Sequence, residues 1–404
     1  MLLLAAPGQG AQTPGFLREW LELPGFAERL GALSELAGCD LIRCGTTADA
    51  NEIRDTAVAQ PLLVAAAVTT AAELLGQAGE QLADAALAAG ASAAAGHSVG
   101  ELAAGAIAGV ITPRDAVGLV RVRGEAMARA SAAEATGMTA VLGGDEEAVL
   151  AAIETHGLTP ANVNGAGQIV AAGTMEQLAA FAADPPPAAR LRPVSVAGAF
   201  HTRHMAPAVD ALRHAAAEIT PRNPALALLS NRDGSVVRSG SDWLERIVTQ
   251  VSAPVRWDRC MQAMQGLGVT TLIELPPAGT LTGLARRGLP GVAALALKSP
   301  ADLAEGRALL AAAHDAHPDS HAPEWRLLVT PLAGTFRAGP RNGTPAGPGT
   351  AVNSGADLGY VEMRGSNHTV SPAFPATIIE WLVEDGDPVS AGQPLVRLQP
   401  EGME

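Results

Sequence analysis

The chain has 404 residues, 48% hydrophobic and 3% aromatic, with a formal net charge of -14 at pH 7. That length exceeds one ordinary core and suits roughly two to four domains. The acidic balance argues against nucleic acid as the main partner, because a polyanion would be repelled.

The opening "MLLLAAPGQG" reads as a first strand and a glycine loop. It lacks the basic region of a signal peptide. "QPLLVAAAVTTAAELL" and "LGQAGEQLADAALAAG" have helical period, and "ASAAAG" is a short buried strand. "VGELAAGAIAGV" is a small-residue helix, and Thr112 followed by Pro113 starts another at "TPRDAVGLVRVRGEAMARAS". From about Thr136 to Val196 the order becomes β-α-β-β-α-β, the ferredoxin-like pattern, as a small domain inserted into a larger α/β one. The α/β pattern resumes through "TTLIELPPAG" and "GVAALAL" and closes on "ADLAEGRALLAAAHDA". Residues 317–325 form a polar linker. Beyond Trp325 the chain repeats itself: "VTPLAGTF" matches "VSPAFPATI", and Val352, Gly355 and Leu358 match Val389, Gly392 and Leu395 at one offset. Two such half-units predict a quasi-twofold β domain.

No run of about 18 apolar residues escapes interruption by charge, Gly or Pro, so no membrane span is expected. Cys39, Cys44 and Cys260 show neither metal-ligand spacing nor an even disulfide framework. They read as reduced and buried, in a cytoplasmic chain without a metal site.

The chemistry centres on "AAAGHSVGEL", where Ser98 lies between Gly96 and Gly100 after a strand and before a helix. This is the pattern of a nucleophile elbow. A serine hydroxyl needs a base within hydrogen-bond reach and donors for the developing oxyanion. The amide of Val99 is one natural donor, and that of Gln9, in "PGQGAQ", is the other. "GAFHTRHM" offers His201 beside Phe200, and "LVRVRGEAM" offers Arg123.

These segments, with "NVNGAGQIVAAG", "QVSAPVRW" and "ELPPAGTLTGLARR", fall in the order of the malonyl-CoA:acyl-carrier-protein transacylases, which the chain resembles over roughly residues 1–310. The related acyltransferase domains of polyketide synthases share the pattern. The resemblance implies an acyltransferase fold: an α/β-hydrolase-like large subdomain (1–130 and 197–316) with a ferredoxin-like small subdomain (131–196) inserted. It implies Ser98 as nucleophile, His201 as general base, and the Gln250 carbonyl as orienter of that histidine. Gln9 and Val99 then form the oxyanion hole, Arg123 pairs with the malonyl carboxylate, and Asn162 supports the substrate from the small subdomain. The implied substrates are a coenzyme A thioester, malonyl-CoA, and a phosphopantetheinylated acyl carrier protein, with no cofactor, for fatty acid or polyketide synthesis.

The residues bear on the reaction class. A malonyl group brings a carboxylate into the pocket, which needs a fixed cation, and a planar guanidinium grips both oxygens. Arg121 lies near the opposite side of the same helix and is the lesser candidate. Phe200 stands where methylmalonyl-selecting relatives have Ser, so it is expected to crowd an α-methyl branch. A hydrolase of the usual elbow type places an acid between serine and histidine in the chain. Asp145 and Glu147 do lie between Ser98 and His201, but in the inserted domain. An editing thioesterase acting on short acyl carriers keeps Ser98 and His201 without need of Arg123. A non-catalytic scaffold is the third alternative.

Residues 326–404 resemble a biotinyl or lipoyl carrier domain, an all-β barrel-sandwich. In that family the hairpin between the halves carries Met-Lys. Here it reads "VEMRGSNHTV", with Arg364 and Gly365 at the end of the hairpin and Gly365 in the lysine position. The only lysine of the chain is Lys298, so no biotin is expected. The domain is then either a dock, for a carboxylase or synthase partner, or a relic.

Overall fold

The computed structural model describes residues 1–316, 326–340, 345–363 and 366–400. The chain divides into two compact units, Met1–His317 and Pro318–Glu404. The linker at 317–325 and the hairpin positions Arg364 and Gly365 lie outside the described residues.

The first unit holds β1 (Leu2–Ala6), β2 (Ala91–Gly96), β3 (Thr136–Gly143), β4 (Thr159–Gly165), β5 (Gln168–Thr174) and β6 (Ala189–Pro193). It continues with β7 (Ala227–Leu229), β8 (Val236–Val237), β9 (Val255–Arg256), β10 (Thr271–Glu274) and β11 (Ala293–Ala296). Six strands form one sheet in the order β11-β10-β1-β2-β7-β8. Its first five members run parallel, and β8 pairs antiparallel with β7.

β1 is apolar and buried at every residue because both faces of the sheet are covered. Leu2, Leu4 and Ala6 join one core with Trp20 and Trp243, whereas Leu3 and Ala5 join another with Trp257 and Met264. The period of two distributes one strand between two cores. β1 and β2 end in register at Ala6 and Gly96. The loops after them therefore emerge side by side at the carboxyl edge, where open α/β sheets place their ligands.

Helix Thr56–Leu75 is long and apolar enough to cross a membrane by length and composition, and 83% of that stretch is buried inside the unit. It is the central core helix, started by Asp55, whose side chain accepts from Ala57 N. The predicted helical stretch from Leu75 to Gly90 is broken instead. Gly76 and Gly79 take φ of 69° and 72°, and the helix resumes only at Leu82–Ala88. Helix Pro113–Ala133 starts at Thr112 with a reciprocal Thr112–Asp115 capping box.

The inserted segment forms a second sheet in the order β6-β3-β5-β4-β9. Its βαββαβ chain order is the ferredoxin-like one, with helices Glu146–Thr155 and Met175–Ala183 packed on it. The fifth strand comes from the larger part: β9 pairs parallel to β4, Asn162 opposite Val255. A two-residue strand has no readable period. It nevertheless fixes β4 beside the segment that follows Gln250.

The second unit contains two four-stranded sheets formed by β12 (Arg326–Val329), β13 (Gly334–Ala338), β14 (Ala351–Val352), β15 (Gly359–Met363), β16 (Ser366–Val370), β17 (Ala376–Trp381), β18 (Pro388–Val389) and β19 (Pro394–Pro400). The orders are β12-β19-β17-β14 and β16-β15-β13-β18. Exchanging each strand for its counterpart in the sequence repeat turns one order into the other. The matched glycines Gly355 and Gly392 both take positive φ, 75° and 82°. Each half therefore uses glycine for the same turn.

Candidate active site

Ser98 sits in the turn from β2 into helix Gly100–Ile107 with φ of 52°, a left-handed conformation. Such strain in a non-glycine residue costs on the order of 1–3 kcal/mol and needs surrounding support. The flanking glycines make room for the turn. A Cβ on Gly96 would overlap Gly100, and one on Gly100 would overlap the Ala6 carbonyl. Asn231, in the loop after β7, clamps both sides of the turn. Ser98 N donates to its Oδ1 at 2.7 Å, and its Nδ2 donates to Gly96 O at 2.7 Å.

His201 also has a left-handed backbone, φ 60°, and its amide donates to Val251 O at 3.0 Å. Its Nδ1 lies 2.8 Å from the Gln250 carbonyl oxygen. A carbonyl only accepts, so Nδ1 carries the proton, and Nε2 accepts from the Ser98 hydroxyl at 2.6 Å. Burial, followed by the Arg123 charge, pushes the imidazolium down to about 3, against the Gln250 carbonyl bond. The ring is therefore neutral near pH 7.

Arg123 is 1% exposed. Its Nη1 donates to Gln60 Oε1 at 2.6 Å, and its Nη2 donates to Gln250 Oε1 at 2.9 Å and reaches Ser98 Oγ at 3.4 Å. Nε has no partner among the described residues. Burial lowers the guanidinium to about 10, with Glu101 opposing, so it stays charged at neutral pH. Neutral amides hold the cation, and no carboxylate among the described residues touches it. Arg121, by contrast, is exposed and pairs with Glu125.

A cavity of about 270 Å³ opens above these groups. Gln9, Ser98, Val99, Asn162, Phe200 and His201 line it; Arg123 and Gln250 do not, and Arg123 reaches the site through Ser98 Oγ. The amides of Gln9 and Val99 donate to no other protein group among the described residues. Asn162 is buried in the wall, and its Oδ1 is unpartnered among the described residues. Asp145 instead caps helix Glu146–Thr155.

The predicted site residues thus meet in one place. Sequence reading missed Gln60, Glu101, Asn231 and the side chain of Gln250, which join them into a network. It also missed Asn164, whose Oδ1 lies 2.8 Å from His97 Nε2. Glu101, as the last residue of "GHSVGE", Asn164, in "NVNGAGQIVAAG", and Gln250, in "QVSAPVRW", had a signal; Gln60 and Asn231 had none. The cysteines are unpaired, with Cys44 and Cys260 buried and Cys39 half-buried, short of the full burial expected. None lines the cavity.

The acyl transferase domain model matches residues 5–314. The malonyl CoA-acyl carrier protein transacylase of Mycobacterium tuberculosis is 53% identical over 308 residues, which is 76% of this chain and 99% of the relative. The crystal structure of MCAT from Mycobacterium tuberculosis superposes with a TM-score of 0.72 at 53% identity, covering 76% of this chain and 99% of that one. A malonyl-transacylase solved in complex with its type II polyketide synthase acyl-carrier protein gives 0.69 at 28% identity, covering 76% and 99%. The family match stops at residue 314, ahead of the second unit. The first unit has the mixed α/β acyltransferase fold, and the chain belongs to the acyl transferase domain family and, within it, to the malonyl CoA-acyl carrier protein transacylases.

Proposed function

We propose that the chain transfers a malonyl group from malonyl-CoA to the phosphopantetheine thiol of an acyl carrier protein, through a malonyl ester on Ser98. His201 Nε2 takes the Ser98 proton as Oγ attacks the thioester carbonyl. The amides of Gln9 and Val99 donate to the oxyanion. Collapse breaks the carbon–sulfur bond, and coenzyme A leaves as its thiol with the proton from His201. The carrier thiol then passes its proton to His201 and attacks the ester, and Ser98 regains its hydrogen. The Gln250 carbonyl keeps His201 in the required tautomer. These steps use protein groups and the two substrates alone.

The observation that carries the reading is Arg123, buried beside Ser98 and held by amides. A malonyl carboxylate supplies the anion this cation lacks. An acetyl group leaves it without one. Phe200, 5% exposed in the cavity wall, is the residue expected to crowd an α-methyl branch. Asn162 faces the acyl thioester from the small subdomain. A Ser-His-Asp hydrolase is disfavoured because His201 Nδ1 is turned to a backbone carbonyl. The carrier protein as partner is supported by the related transacylase solved with its own carrier.

We read the second unit as a biotinyl-like barrel-sandwich without its attachment lysine, serving as a dock for a carboxylase or synthase partner. Its two repeat-related sheets support this. Neither Arg364 nor Gly365 offers a lysine amine for a biotin amide.

Three outcomes are expected. Intact-mass measurement after incubation with malonyl-CoA shows a malonyl adduct on the wild-type chain and none on Ser98→Ala. An adduct on the variant would remove Ser98 as nucleophile. In chain labelled with 15N-histidine, His201, assigned by comparison with His201→Ala, keeps neutral-ring shifts between about pH 5 and 8. A titration there would show that its environment does not hold it neutral. A chain ending at residue 316 transfers malonyl groups to free carrier protein at close to the full-length rate, and full-length chain made beside an active biotin ligase carries no biotin. Loss of activity in the folded truncation, or a biotin adduct, would contradict the docking reading.

A further inference from the structure

Glu101 stands in the first turn of the helix that follows Ser98 and is 1% exposed. The mechanism gives it no step, and it touches no cavity surface. One of its oxygens, Oε2, makes two contacts. It accepts from Asn231 N at 3.2 Å and from Gln250 Nε2 at 2.6 Å. Oε1 has no hydrogen-bond partner among the described residues.

The two partners are the two braces of the site. Asn231 clamps the left-handed turn at Ser98 from both sides. Gln250 gives its backbone carbonyl to His201, its Oε1 to Arg123, and its Nε2 to the Ser98 carbonyl at 3.2 Å. Without an acceptor at Glu101, the amide of Gln250 loses the shorter of the two contacts that turn NH2 inward, the other being the Ser98 carbonyl. A flipped amide would present NH2 to a guanidinium that has only donors. Arg123 would then lose one of its two amide supports, the other being Gln60.

We propose that Glu101 is a positioning residue, whose Oε2 links the clamp on the nucleophile turn to the Gln250 hub that aims Arg123 at the acyl carboxylate. This rests on the malonyl-transfer reading above. Burial pushes the Glu101 carboxyl up to about 7, against the Asn231 and Gln250 donors and the Arg246 charge. Oε2 remains an acceptor in both protonation states, so the link depends on the acceptor and not on the charge.

The test compares full-length Glu101→Met, which fills the space without an acceptor, with Glu101→Gln, which restores one. Initial rates of adduct formation are measured with malonyl-CoA and with acetyl-CoA, beside the thermal midpoint. Glu101→Met is expected to unfold cooperatively and to lose about tenfold to a hundredfold in malonyl kcat/KM, the scale of a lost hydrogen bond to a charged group. The malonyl-to-acetyl ratio falls with it, and Glu101→Gln recovers most of both. A merely structural role would lower the midpoint and reduce both acyl donors equally. A folded Glu101→Met with an unchanged ratio overturns the proposal, as does a Glu101→Gln equally defective. Failure of both variants to fold overturns it in favour of a structural role. A wild-type chain that gains no malonyl adduct sinks the underlying reading itself, which separates the two failures.

Discussion

The site is organised by a buried positive charge that no carboxylate among the described residues contacts. Arg123 lies beside Ser98, and two glutamine side chains hold it. Taking a guanidinium out of water without an anion costs several kcal/mol. Neutral amides offset part of that cost and leave the charge uncompensated, so an incoming carboxylate gains more than it would from a cation already paired. The same charge acts on His201. Burial and Arg123 together keep the imidazole neutral, which is the form a general base needs. In the proposed reading, one cation sets the acyl preference and adds to the burial that keeps the imidazole neutral.

The second constraint is backbone strain. Ser98 and His201 both sit at positive φ, and they face each other at 2.6 Å. Each is over-determined by hydrogen bonds from segments distant in sequence. Asn231 holds the serine turn, while Val251 and Gln250 hold the histidine. Gln250 bonds to the Ser98 carbonyl, the His201 ring and Arg123, and the strand that follows it, β9, pairs with β4 of the small sheet. The inserted subdomain, which carries Asn162 and Asn164, is thereby tied to the catalytic segment by main-chain pairing.

Much of this was legible in the sequence where local chemistry is dense. A strand of small residues ending in "GHSVG" requires the elbow, because only glycine fits beside a turn that close. The βαββαβ order was readable from alternating periods, and the C-terminal repeat from matched valines and glycines. The polar network behind the site was not. Gln60 lies within an apolar helix, and Asn231 lies in an ordinary turn sequence. Their roles arise from separations of 63 and 133 residues in the chain, which no local pattern encodes. The break at Gly76 was hidden because alanine-rich flanks on both sides favour helix. β9 was hidden because two residues carry no period.

Selection of the acyl group by the Arg123 charge, as proposed, is read from the malonyl-to-acetyl ratio of kcat/KM for Ser98 acylation in Arg123→Ala against the wild-type chain. The ratio is expected to fall by at least about tenfold to a hundredfold, since a charge-assisted hydrogen bond contributes roughly 1.5–3 kcal/mol. Most of the change is expected in malonyl acylation. A folded Arg123→Ala chain that keeps the wild-type ratio would contradict it.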